Sequence, residues 1–134
     1  MNYGFCKVSG EEVEQLNPLV LAYIGDAVFE MYVRIHIIGN GRYKTNMLHK
    51  MSIAFVSARA QAKILDRIFE QLTEKEQDIV RRGRNAHANT IPKNATIADY
   101  KKATAFEALI GYLFLMKNEK RLEEIIGLAF EEEV

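Results

Sequence analysis

The run Leu21-Ala22-Tyr23-Ile24-Gly25-Asp26-Ala27-Val28-Phe29-Glu30 constrains the fold more than any other stretch. Val20, Tyr23, Ile24, Ala27, Val28 and Met31 recur at three- and four-residue steps, which predicts a buried helix packed along that face. Inside the pattern stand Gly25 and Asp26. A carboxylate against a packed surface is costly unless it is paired, hydrogen-bonded or bound to a metal. A helical glycine costs about 1 kcal/mol relative to alanine, and it lets another backbone come close. Two locally unfavourable residues side by side are a common mark of functional sites. Spacing alone also admits a plainer arrangement, with Asp26 facing solvent and Gly25 making only a packing contact.

The rest of the chain reads as further helices. Residues 1–10 are a short lead-in, and Asn17-Pro18 starts the first long helix, which runs to about Ile38 and ends at Gly39-Asn40-Gly41, residues that accept left-handed backbone. Thr45 or Asn46 caps the next helix, whose apolar stripe runs Met47, Leu48, Met51, Ala54, Phe55, Ala58, Ala62, Leu65, Phe69. Thr73 and Glu76 form a capping box ahead of a shorter helix to about Gly83. Arg84 to Ala98 reads as a loop. Thr96 or Asp99 opens another helix, with Tyr100, Ala103, Phe106, Leu109, Ile110, Leu113 and Phe114 inside; Lys117-Asn118 breaks it, and residues 119–132 form a last amphipathic helix. No strand, repeat or linker is evident, so the expected fold is all-α and the expected organisation one domain over 1–134.

At 134 residues and 49% apolar, the chain is long enough and hydrophobic enough for one real core. Its single cysteine, Cys6, excludes an internal disulfide and a cysteine metal cluster. No apolar run spans a bilayer and no leader pattern opens the chain, so a soluble cytoplasmic protein is expected. The net charge is zero but unevenly spread: residues 34–102 hold 14 Lys and Arg against 6 Asp and Glu, and the flanks reverse the balance. A basic middle can meet a polyanion; ordinary solvated helix faces give the same split.

Glu107 is the second unusual carboxylate, in Ala103-Thr104-Ala105-Phe106-Glu107-Ala108-Leu109-Ile110-Gly111. Again one acid and one glycine sit in a small, apolar helix. If the two helices pack, the acids face each other, and like charges in one crevice repel. A divalent cation removes that conflict, since Mg²⁺ is commonly held by one or two carboxylates plus water and phosphate oxygens. Pairing of each acid with a separate Lys or Arg is the alternative. Arg81, Arg82, Arg84, His87 and Lys93 put many donors on a loop, and Lys101 follows, a set suited to phosphate contact. His36, His49 and His87 have no metal spacing, and no nucleophilic-serine, Walker or HExxH motif is present.

Tyr23-Ile24-Gly25-Asp26-Ala27-Val28 resembles the signature helix of the ribonuclease III endonuclease domain, and Phe106-Glu107-Ala108-Leu109-Ile110-Gly111 resembles that family's second acidic motif. Asn17-Pro18-Leu19-Val20-Leu21-Ala22, His49-Lys50-Met51-Ser52, Phe55-Val56-Ser57-Ala58 and Arg81-Arg82-Gly83-Arg84-Asn85 resemble the short bacterial branch called Mini-ribonuclease III. The resemblance covers nearly the whole chain. It implies a dimeric helical bundle without a double-stranded-RNA-binding domain. It implies Mg²⁺-dependent cleavage of double-stranded RNA (Mn²⁺ substituting) to 5′-phosphate ends, maturation of precursor large-subunit (23S) ribosomal RNA, and a ribosomal protein that presents the RNA. It makes Asp26 and Glu107 the catalytic, metal-holding acids. The larger enzymes carry further acids where Ala22 and Thr104 stand, which leaves the ion count open. The rival expectations are a non-catalytic RNA-binding or ribosome-assembly factor and a purely helical interaction module.

Overall fold

Ser9 caps a short first helix, α1 (Gly10–Gln15), where the sequence predicts no helix before Asn17. In the computed structural model, which describes residues 7–86 and 95–131, Asn17 then caps α2 (Pro18–Gly39) as expected: its side chain accepts from the Leu19 amide at 2.8 Å. α2 ends at Asn40 with φ near −99°, so no left-handed residue is used there. Asn40 stops the helix by donating its side-chain amide to the His36 carbonyl at 2.9 Å.

The buried face of α2 differs from the expected one. Leu21, Ala22, Gly25, Val28, Phe29, Val33 and Ile37 point into the core, whereas Val20, Tyr23, Ala27 and Met31 are exposed. The helix is apolar nearly all round, so periodicity could not choose between two apolar stripes.

The single helix expected over Met47–Phe69 is two: α3 (Thr45–Val56) and α4 (Ala58–Ile68). Ser57 separates them. Its backbone is extended (ψ 154°), and its hydroxyl accepts from the Ala60 amide at 3.2 Å, a cap that competes with helix continuation. Neither Thr45 nor Asn46 caps α3; that position is Lys44, whose side chain makes no cap bond. A turn of 3₁₀ helix (Phe69–Gln71) leads to α5 (Glu74–Asn85), opened by the predicted Thr73–Glu76 capping box. Thr96 caps α6 (Ile97–Leu115), and Asn118 caps α7 (Glu119–Ala129).

α6 is the central helix. Residues Ala103 to Leu113, Glu107 excepted, are buried on every side, as for a helix that is apolar all round. α2, α4 and α5 pack around it, and Phe29 meets Phe106 edge to face at 5.0 Å. The periphery is tied down by polar pairs. Arg121 on α7 holds buried Glu76 on α5 with two bonds of 2.8 Å, and Tyr112 on α6 donates to Glu14 on α1. Among the described residues there is no strand, and no helix is long and apolar enough to cross a membrane.

Candidate active site

Two glycines set the spacing of α2 and α6. A Cβ on Gly25 would overlap the Glu107 carbonyl, and a Cβ on Gly111 would overlap the Leu21 carbonyl. The backbones therefore touch where the helices cross, a contact only glycine permits. That crossing brings Asp26 and Glu107 within hydrogen-bonding contact. Asp26 lies on the exposed flank of α2, so the plainer geometric reading of Gly25 and Asp26 holds for burial; the carboxylate nevertheless meets Glu107.

Glu107 is half-buried in the crevice. Burial, the neighbouring Asp26 charge and the hydrogen bond with Asp26 push its carboxyl up to about 8, opposed only by a hydrogen bond from Gln61. Among the described residues neither acid has a Lys or Arg partner. The separate ion pairs considered as an alternative are thus not formed there.

Gln61 on α4 is the residue that sequence reasoning missed. It is 2% exposed, and its Nε2 donates to the Val56 carbonyl at 2.9 Å and to Glu107 Oε2 at 3.4 Å. The signal was a lone amide beside Ala62 in an apolar stripe, visible only once α3 and α4 are separated at Ser57. Ala22 and Thr104 flank the acids one turn away, both buried, and the Thr104 hydroxyl donates to the Tyr100 carbonyl at 2.9 Å.

No group of three His, Cys, Asp or Glu residues gathers among the described residues. Two carboxyl groups remain, which would repel each other if both were ionised in this half-buried crevice, beside an amide whose Oε1 is buried without a partner. Such a donor set fits a hard cation that keeps much of its water.

The basic residues sit elsewhere. Arg81, Arg82 and Arg84 belong to α5 and not to a loop, because the helix launched by the capping box continues to Asn85, where basic side chains favour the helix end. Arg81 and Arg84 are exposed. Arg82 is half-buried and donates to the Leu16 carbonyl at 3.4 Å. Arg81 and Arg82 line an open cleft with Asn17, Pro18 and Leu19, and Pro18 is about 12 Å along α2 from Asp26 at 1.5 Å per residue. Lys101 is exposed on α6; His87 and Lys93 lie outside the described residues.

A family model described as Ribonuclease III domain matches residues 19–118. The chain belongs to the ribonuclease III family. A relative named Mini-ribonuclease 3 from Brevibacillus brevis is 52% identical over 114 residues, 85% of each chain. The Mini-ribonuclease 3 of a Thermoanaerobacter species is 47% identical over 121 residues, 90% of this chain and 85% of that one. A crystal structure of a Fusobacterium nucleatum protein, 34% identical, aligns with a TM-score of 0.78 over 87% of this chain and 93% of that one. This ribonuclease III chain is therefore an endoribonuclease with the all-helical architecture of its family.

Proposed function

We propose that the chain cleaves double-stranded RNA with Asp26 and Glu107 holding a divalent cation, Mg²⁺ in the cell with Mn²⁺ as a substitute. The observation that carries this is the contact of the two acids at the α2–α6 crossing, with no protein cation between them among the described residues. Ribonuclease III enzymes act on double-stranded RNA, generally as dimers and with divalent metal, which supports the same reading. When bound, such an ion acidifies water and stabilises charge on the phosphoryl oxygens.

The chain's own residues do the rest. Asp26, on the exposed flank, and Glu107, deeper in the crevice, supply the two negative oxygens. Water adds to the scissile phosphorus, the P–O3′ bond breaks, and the ends are a 5′-phosphate and a 3′-hydroxyl. Arg81, Arg84 and Lys101 contact phosphates outside the crevice, with His87 and Lys93 as further donors. Duplex RNA offers shape, phosphates and 2′-hydroxyls more than readable base edges, so sequence preference is weak.

We assign precursor 23S ribosomal RNA as the natural substrate, presented by a ribosomal protein in the cytoplasm, and residues 1–134 as one catalytic unit. Incubation with long duplex RNA, with and without Mg²⁺, tests the core of the reading. Cation-dependent cleavage is expected. Retention of the duplex without cleavage would instead make the chain an RNA-binding assembly factor.

A further inference from the structure

Gln61 is an expensive residue for its position. Its Nε2 donates to the Val56 carbonyl at 2.9 Å and, at a longer 3.4 Å, to Glu107 Oε2, while Oε1 is buried without a partner. A buried amide oxygen in that state costs about 1–3 kcal/mol. Leucine or methionine would fill the same space without that cost but would leave the Val56 carbonyl and Glu107 without their donor, so the glutamine is there for its hydrogen bonds and not for packing. The amide orientation is dictated as well. Turning it over would set Oε1 against the Val56 carbonyl and the Glu107 carboxyl, both acceptors when Glu107 is ionised.

The two contacts join two parts of the fold. Val56 ends α3, so its carbonyl has no continuing helix to accept from. Gln61 lies in the first turns of α4, beyond the Ser57 break, and its amide closes the gap between that break and Glu107. Apart from Asp26, it is the only group among the described residues that hydrogen-bonds Glu107.

We propose that Gln61 is a positioning residue of the Asp26–Glu107 site: its amide, anchored on the Val56 carbonyl, holds the Glu107 carboxyl in the orientation that captures a divalent cation. Oε1 of the same amide is an acceptor of the kind that the O–H groups of a hydrated cation require. The inference rests on the reading of Asp26 and Glu107 as the cation-holding pair. Removing a group that orients a metal ligand typically weakens metal affinity roughly 10- to 100-fold.

The test is Mn²⁺ binding to the full chain, followed by loss of the free-ion electron paramagnetic resonance signal, for wild type, Gln61→Met, Gln61→Leu and Asp26→Asn. Both Gln61 variants keep the volume and lose the donor. Their Mn²⁺ affinity should fall by at least about tenfold, while the melting temperature without ion stays close to the wild-type value, because removal of the orphaned Oε1 offsets loss of the donor to the Val56 carbonyl. Cleavage should return toward wild type at saturating Mn²⁺, so that the defect lies in cation dependence. Wild-type affinity in both Gln61 variants, alongside its loss in Asp26→Asn, overturns the role of Gln61 and leaves the acid pair standing. A lower melting temperature with unchanged affinity marks a structural residue and also overturns the proposal. Unchanged affinity in Asp26→Asn removes the acid-pair reading, and this inference with it.

Discussion

Glu107 is where the protein accepts an unfavourable charge. Its carboxyl is pushed up to about 8 in the folded chain, through burial first and Asp26 second, from an ordinary value of 4.5. Between those values the folded protein binds a proton that the unfolded chain releases. Linkage then requires this group's contribution to stability to be full below about pH 4.5 and to be lost as pH rises toward 8. Urea unfolding of the ion-free protein at several pH values between 5 and 8 should show that decline, and Glu107→Gln should flatten it. If the decline survives in Glu107→Gln, some other group causes it. Asp26 is different, because it is exposed and supports no packing. Asp26→Asn removes a charge that opposes ionisation of Glu107, so it should not lower stability at neutral pH; it should keep duplex binding and nearly abolish cleavage. A folded Asp26→Asn protein turning over at the wild-type rate would remove Asp26 from the mechanism.

Helices α2 and α6 matter as a pair, since the acids meet only because the backbones touch. Gly25→Ala or Gly111→Ala sets a methyl against a carbonyl of the other helix, and neither backbone can yield without parting the crossing. Each should cost about 1–3 kcal/mol or more, and each should reduce cleavage beyond what the lost stability explains. Gly127 on α7 is the control. An added Cβ there meets nothing within 4 Å, so Gly127→Ala should stabilise the protein by about 0.5–1 kcal/mol. Thermal and urea melts of the three variants decide whether the crossing is as tight as described. The same elements show what could be read from the chain. Gly25-Asp26 and Glu107 with Gly111 were legible because a helix interior seldom combines acid and glycine, and the Thr73–Glu76 box was legible because it is local. The packed side of α2 was legible only in part: Val28 and Ile24 of the expected stripe do face the core, but Leu21, Phe29 and Val33 compete with Val20, Tyr23 and Met31, and only α6 selects between them. Gln61 was hidden for a related reason. Its role depends on the Ser57 break and on a contact with Glu107, 46 residues away.

The whole molecule has two surfaces left to explain, one basic and one apolar. Replacing Arg81 and Arg84 by alanine should weaken duplex RNA binding at every sequence and lower the salt slope by up to about one unit per lost phosphate contact; an unchanged slope would reassign them to the helix end. Arg82 is left out of this pair because its contact with the Leu16 carbonyl is structural. The apolar surface runs along α2 opposite the core, through Val20, Tyr23, Ala27, Met31, Ile35 and Ile38 at three- and four-residue steps. Tyr23 is 82% exposed, Ile35 57% and Ile38 60%. A stripe of this length is the kind of patch that a second copy covers across a two-fold axis. One chain carries one pair of acids, whereas a duplex has two strands to cut, so a two-fold dimer gives each strand a site. Phe29 is the wrong place to test this, because it lies in the core against Phe106, and a lysine there would unfold the chain. Ile35→Lys is the better choice: the side chain is solvent-facing in the single chain, so the fold should survive, while a charge buried across an interface should cost several kcal/mol of association. Sedimentation at assay concentration should show a wild-type dimer and an Ile35→Lys monomer that is folded, by its melting curve, and cleaves little. A wild-type protein that sediments as a monomer while fully active would mean that the apolar stripe serves something other than self-association.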